Sequence, residues 1–313
     1  MIITVTTNPS IDRTLEIEKL AVGSVNRGKL TSIDPGGKGV NVSRALAAFG
    51  VDTHAVVVCG DLGSEWFAKK FDDLNIIHDV LSVEGVTRSN ITLKEGNGFV
   101  TKINEPGFNL TSEIVEDLKR TLSHLNLKDS WVVLAGRLNP GADINTYKVI
   151  AELVRSHGAY VAIDGSGPEF RAALQVKPDL IKPNQFELAE LVGRPLKTIN
   201  DVISAAEEII QSGVKQVLCS LGKDGALLIT ADTVIHCEPE QVAVGTPVGA
   251  GDILLAIYLG GGANPNALKN AVAWSAASVP LQGTAIPTPE QAAAVLVKTN
   301  EIPTKNRELA EVH

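Results

Sequence analysis

Between about residue 105 and residue 283, short apolar runs rich in β-branched side chains alternate with amphipathic helical patterns, which leaves few possible architectures. The runs are Trp131 to Ala135, Tyr160 to Ile163, Leu180 to Ile181 and Val214 to Cys219. Helical segments between them include Ile114 to Leu125 and Val202 to Ile210, where Val202, Ala206, Ile209 and Ile210 recur at helical spacing. Strands that are apolar throughout and joined through helices form a parallel sheet covered on both faces. The predicted fold class is therefore α/β, with ligands bound beyond the carboxyl ends of the strands. The opening segment MIITVTT reads as a further strand.

Two stretches break the rhythm. Residues 13–31 and 88–104 alternate polar and apolar side chains, and the second carries Asn97-Gly98 between two such runs, a strong hairpin signal. They predict a small antiparallel sheet outside the main core, suited to a lid or a dimer contact.

Charge and cysteine content narrow the partners. With 28 basic against 36 acidic residues, a net charge of -8 and no basic run, the chain would repel a nucleic acid backbone. Cys59, Cys219 and Cys237 are widely spaced and lack a CxxC pair, which predicts reduced, buried thiols in place of a disulfide frame or zinc site. The start has no basic segment ahead of an apolar one, and the uncharged stretch from Ile253 to Leu268 is broken by Gly260, Gly261, Gly262, Asn264 and Pro265. A membrane span needs about 20 apolar residues, so the reading is a cytoplasmic protein without a membrane partner.

Four segments carry chemistry. Pro247-Val248-Gly249-Ala250-Gly251-Asp252 leads directly into the apolar run ILLAIYL. Glycines before a helix turn successive N–H groups toward one point, where the helix start adds about half a positive charge, making an anion cradle. Asp252 at its rim either takes a proton from a hydroxyl attacking a phosphate or serves as an N-cap. The second segment is Asp34-Pro35-Gly36-Gly37-Lys38-Gly39-Val40-Asn41, ahead of a helix whose buried stripe is Val42, Leu46 and Phe49. Its glycines permit close approach to a ligand, and Asn41 offers both donor and acceptor to a hydroxylated molecule such as a sugar. Lys182-Pro183-Asn184-Gln185-Phe186-Glu187 contains a capping-box spacing, and Ser220-Leu221-Gly222-Lys223-Asp224-Gly225 is either an Asp-Gly hairpin turn or a phosphate-facing loop. Neither GxxxxGK[ST] nor a complete GxGxxG is present, so the P-loop and dinucleotide readings fail.

Taken in order, these segments resemble the ribokinase-like (PfkB-type) family of carbohydrate kinases, from Asn8-Pro9-Ser10-Ile11-Asp12 to about Gly283-Thr284. Within it, Thr87-Arg88-Ser89-Asn90-Ile91-Thr92 and Thr101 to Gly107 are most similar to the branch acting on phosphorylated ketohexoses. The resemblance implies a three-layer α/β/α core with a mainly parallel sheet, one kinase domain over 1–313, and a β-sheet lid inserted from about 13–31 and 88–104. It implies ATP and Mg²⁺, transfer to fructose 1-phosphate giving fructose 1,6-bisphosphate, and a possible homodimer through the lid. Kinases for tagatose 6-phosphate or fructose 6-phosphate, and a catalytically silent sugar-phosphate sensor, are the alternatives.

Site roles follow from the same resemblance. Asp252 is expected as general base, with the N–H groups of Gly249, Ala250 and Gly251 forming the anion hole. Asp12, Gly37 and Asn41 are expected to bind sugar hydroxyls, with Lys38, Arg88, Lys102 and Arg137 making a basic pocket for the existing phosphate. Lys182, Asn184, Ser220, Gly222 and Gly225 are expected on the nucleotide side, and Glu187 in the outer shell of magnesium. The chain departs from the family pattern at Arg137 and Asn139, where a Gly-Ser-Leu-Pro run is usual, and at Gly165, Thr246 and Ile253.

Overall fold

The strands of the computed structural model, which describes residues 1–241 and 248–303, are β1 Ile2–Thr6, β2 Ser10–Ile17, β3 Lys29–Gly36, β4 Thr53–Gly60, β5 Ile77–Val83, β6 Arg88–Glu95, β7 Val100–Asn104, β8 Trp131–Ala135, β9 Tyr160–Asp164, β10 Leu180–Ile181, β11 Gln216–Ser220, β12 Ala226–Thr230, β13 Val234–Pro239 and β14 Val297–Glu301. Its helices are α1 Lys38–Ala48, α2 Asp61–Asp73, α3 Ser112–Ser123, α4 Thr146–Ser156, α5 Gly167–Leu174, α6 Gln185–Val192, α7 Ile199–Gln211, α8 Ala250–Gly260, α9 Pro265–Ser278 and α10 Pro289–Ala293. Thr246, Pro247 and residues 304–313 of the polar tail lie outside the described residues.

Ten strands form the main sheet in the order β14-β13-β12-β11-β10-β9-β8-β1-β4-β5. From β5 to β11 neighbours run parallel, while β12, β13 and β14 pair antiparallel at one edge. All four apolar runs expected to be strands lie in this sheet. Side chains alternate between its two sides: Ile3, Val5, Val132 and Leu134 join the core with Leu118, Tyr147 and Val202, whereas Ile2, Val133 and Ala135 join the core beside α8 and α9. That period of two lets helices cover both faces. The ILLAIYL run forms α8, which is buried on nearly every side, as a helix that is hydrophobic all round must be. Among the described residues no helix is long and apolar enough to cross a membrane. Cys59, Cys219 and Cys237 are free and buried.

The second sheet has four strands in the order β3-β2-β6-β7. Its outer pairings are antiparallel, but the central β2–β6 pairing is parallel, a correction to the wholly antiparallel expectation. The cause is connectivity: β2 follows β1 and β6 follows β5, so both strands leave the same end of the parallel main sheet. The strand bounds also differ from 13–31, because β2 starts at Ser10, β3 extends to Gly36, and residues 18–28 lie between them. By register Asp12, Arg88, Asn90, Lys102 and Asn104 share one face, while Ile11, Ile33, Ile91, Leu93 and Ile103 share the other with Arg13, which pairs with both Ile33 and Ile91.

Candidate active site

Several polar groups of the site stand where a parallel strand ends. Asp164 is the last residue of β9, Lys182 directly follows β10, Ser220 closes β11, and Arg137 follows β8 by two positions. This is the edge at which open α/β sheets bind ligands. The apolar strands place those ends together, and Lys182 and Ser220 among them line a cavity of about 750 Å³.

One wall of that cavity is the start of α8. Gly249 is its N-cap at φ +78°, so Asp252 sits in the first turn and is not itself the cap. Helix geometry leaves the first N–H groups without intrahelical acceptors, and the turn at Gly249, Ala250 and Gly251 that carries them lines the cavity, a geometry suited to an anion. Asp252, only 7% exposed, accepts a hydrogen bond from Asn41 Nδ2 at 2.8 Å. Burial, reinforced by the nearby Asp164 charge, pushes its carboxyl up to about 6, although Lys38, the Asn41 hydrogen bond and Lys182 pull the other way. A buried carboxyl in that range is poised to take a proton near neutral pH.

Opposite stand two lysines. Lys38 Nζ is 2.7 Å from Asp164 Oδ1 and 3.9 Å from Glu187 Oε1, and Lys182 Nζ is 3.3 Å from Asp164 Oδ2. Burial alone would neutralise Asp164, but Lys182 and Lys38 overcome it and hold the carboxyl below the usual range. Lys38 also suffers from burial, yet Asp164, Asp252 and Glu187 together raise it above an ordinary lysine. The result is a charged Lys38–Asp164 pair beside the start of α8.

Asn184 and Glu187 form a true capping box on α6: Asn184 Oδ1 accepts from the N–H groups of Phe186 and Glu187, and Glu187 Oε2 accepts from the Asn184 N–H at 2.8 Å. Ser220 to Gly225 is indeed a hairpin connection between β11 and β12, with a 3-10 turn at Gly222–Asp224. Both segments also line the cavity, and an Asn184–Ser220 bridge sets them side by side. Each is thus a local structural motif and a cavity wall at once. Gly225 takes φ +81° where a Cβ would strike the Cys237 carbonyl, so the turn requires glycine.

The lid contributes a second polar group. Asp12 Oδ1 accepts from Ser10 Oγ at 2.7 Å and Asn90 Nδ2 at 2.9 Å, and burial raises its carboxyl despite these bonds and despite Arg88 and Arg44. A Cβ on Gly36 would meet that carboxylate, and Gly37, at φ +110°, packs against Thr6 and Pro9. Arg88 donates to the carbonyls of Asn8, Pro9 and Glu105, with Asp12 and Arg137 near enough to affect its charge.

The four cations expected in one pocket have different partners. Arg88 and Arg137 are neighbours, and Lys102 is exposed on the Asp12 face of the lid. Lys38 is paired with Asp164 and Glu187, and its Cβ lies 3.8 Å from where a Cβ on Gly136, next to Arg137, would stand. Asn41 is likewise held by Asp252 on one side and Arg44 on the other. Ile253 packs in the core beside α9, so this departure leaves the cavity wall intact. Asn139 is buried, with neither side-chain polar atom hydrogen-bonded.

Sequence reasoning passed over Arg44 and the pairing role of Asp164. The signal for Asp164 was available: an acidic residue ending the apolar run YVAID at the ligand edge of a parallel sheet.

Residues 5–291 match the profile of the pfkB family of carbohydrate kinases. The chain belongs to that family. It is 34% identical over 306 residues to the 1-phosphofructokinase of Haloferax volcanii, covering 96% of each chain. It is also 34% identical over 255 residues to the 1-phosphofructokinase of Vibrio cholerae, covering 82% of this chain and 80% of that one. Among solved structures, phosphofructokinase-2 from Escherichia coli superposes with a TM-score of 0.88 at 28% identity, covering 93% of this chain and 96% of that one. The family is one of sugar kinases, phosphotransferases with an alcohol acceptor, and the ribokinase-like fold expected from the motifs is the fold observed.

Proposed function

We propose that this kinase transfers the γ-phosphoryl of ATP to fructose 1-phosphate, giving fructose 1,6-bisphosphate, with Asp252 as general base. The observation that carries the reading is the position of Asp252. Its carboxylate belongs to the turn whose N–H groups form the anion cradle, and it is joined through Asn41 and Arg44 to the lid bearing Asp12. The relatives named 1-phosphofructokinase supply the sugar.

In this mechanism Asp12 accepts a sugar hydroxyl, and Arg88 and Arg137 hold the phosphate already present. Lys102 lies on the same face to add charge. Asp252 receives the proton of the attacking hydroxyl as the cradle at Gly249, Ala250 and Gly251 takes the charge of the moving phosphoryl. Such transfers depend mainly on positioning and electrostatics, which the buried cluster provides. Lys182, Asn184, Ser220, Gly222 and Gly225 contact the nucleotide.

The donor set suits Mg²⁺. Glu187 offers a hard oxygen at the cavity wall, and among the described residues no group of three or more His, Cys, Asp or Glu could hold a metal unaided. Magnesium keeps several waters and binds through one or two carboxylates plus substrate phosphates, so Glu187 would serve through water. When bound, the ion neutralises charge on the phosphates.

Coupled ADP release over fructose 1-phosphate, fructose 6-phosphate and tagatose 6-phosphate tests the substrate. The highest kcat/KM is expected with fructose 1-phosphate; a better rival replaces it, and sugar binding without ADP release with any of them makes the protein a sensor.

The lid's outer face extends this reading to a partner. Ile33 and Ile103 lie 38% and 51% exposed on a face that includes Ile91, Leu93 and the exposed Arg13 between Ile33 and Ile91, which a second copy of the chain would cover. Ile103→Glu is expected to shift the protein from dimer to monomer in sedimentation velocity; a monomeric unmodified protein removes the dimer.

A further inference from the structure

Arg44 carries none of the roles expected from the sequence, yet the end of the lid, helix α1 and the segment at Thr284 meet at its guanidinium. Its Nη1 donates to the Pro35 carbonyl at 3.2 Å, to Asn41 Oδ1 at 3.4 Å and to Thr284 Oγ1 at 2.9 Å. Burial disfavours its charge, and Asp34 and Asp12 offset part of that cost. The three acceptors come from three separate stretches of chain, so the guanidinium has little freedom to move.

Asn41 lies one helical turn before Arg44, on the same face of α1, and donates from Nδ2 to Asp252 Oδ2 at 2.8 Å. A guanidinium carries donors only, and an ionised carboxylate carries acceptors only. The amide between them carries one of each, so one orientation satisfies both neighbours: oxygen toward Arg44, NH₂ toward Asp252. A flipped amide would set oxygen against oxygen at Asp252 and donor against donor at Arg44. Asn41 is 6% exposed, so water does not readily make good either mismatch.

We propose that Arg44 is a positioning residue for phosphoryl transfer: it locks the Asn41 amide in the orientation that presents an N–H to the reactive carboxylate of Asp252. The inference rests on the reading of Asp252 as general base. Without Arg44 the amide samples both orientations, and in one of them the carboxylate turns away from the attacking hydroxyl.

A double-mutant cycle on the full-length enzyme tests this. Arg44→Met is expected to lower kcat by roughly 10-fold or more, since misplacement by about 1 Å can cost on the order of 10²-fold, with KM for ATP little changed. In an Asn41→Ala background there is no amide to orient, and the same substitution is expected to change kcat by less than about twofold. Arg44→Lys keeps a donor toward Oδ1 and is expected to recover part of the loss; it also carries the cycle if Arg44→Met fails to fold. Equal losses in both backgrounds, or an unchanged kcat in the single variants, overturn the proposal. Asp252→Asn in the same assay separates the two readings: retained turnover removes the base itself, whereas a collapse combined with an additive cycle removes only the role of Arg44.

Discussion

Asp252→Asn is expected to lower turnover by about 10²- to 10⁴-fold, the contribution typical of a positioned general base, while ATP binding stays near normal. Asparagine keeps the shape of the side chain at the start of α8 and can still meet Asn41, but it cannot accept a proton. Single-turnover measurement with saturating ATP reads the chemical step directly, and unchanged turnover would remove Asp252 from its role. The unmodified enzyme should lose kcat as pH falls through about 6, because the base must be unprotonated and its carboxyl titrates there. No acid limb near that pH should remain in the residual activity of the variant.

The same substitution should stabilise the protein. A carboxyl whose folded value of about 6 exceeds an unfolded value of about 3.9 adds stability only in its protonated state. That contribution is complete below the unfolded value and is lost as pH rises through the folded one. Near pH 7.5 the native protein therefore bears the full cost of a buried, ionised Asp252, on the order of 3 kcal/mol. Asp252→Asn relieves it, so the variant should unfold at higher denaturant at pH 7.5, with the gain shrinking as pH drops from about 6 toward 4. An enzyme that is more stable when inactivated stores part of its folding energy at the reacting group.

The position of this strained carboxylate was legible in the sequence, and its environment was not. Glycines followed by ILLAIYL identify a helix start with an anion cradle, because that chemistry is local to a few consecutive residues. The parallel sheet was legible for the same reason: each strand announces itself by an apolar run. Pairings between distant residues leave no such trace. Nothing around Lys38 in the sequence announces that β9 brings Asp164 against it, across 126 positions. The parallel pairing of β2 with β6 was hidden too, since alternation predicts a strand and not its direction. Arg44 was overlooked because a single basic residue on a helix ordinarily reads as solvated charge, and only the approach of Pro35 and Thr284 makes it a junction.

Asp164→Asn is the change expected to cost the most stability. The carboxylate is fully buried, and its charge is shared by Lys38 and by Lys182, whose side chain is 4% exposed. Removing one partner from a buried ionic group leaves the others uncompensated, at a cost of about 3–5 kcal/mol. Glu187, at 3.9 Å from Lys38, is too distant to replace a contact of 2.7 Å, and it is already held by the Asn184 N–H. The midpoint of urea unfolding should fall with the slope unchanged, and an unaltered midpoint would mean that the cluster is solvated in solution. Catalysis supplies a second readout of opposite sense. Asp164 is, after burial, the main reason the Asp252 carboxyl is raised, and the lysines it now occupies favour the ionised form. Replacing Asp164 by a neutral side chain removes the repulsion and frees both ammonium groups toward Asp252, so the acid limb of kcat should move to lower pH. A general loss of structure would depress the rate at every pH without moving the limb in that direction. The buried carboxylate at the end of β9 thus has two separable effects: it holds the lysine pair in place, and it keeps the base weakly acidic enough to accept a proton near neutrality.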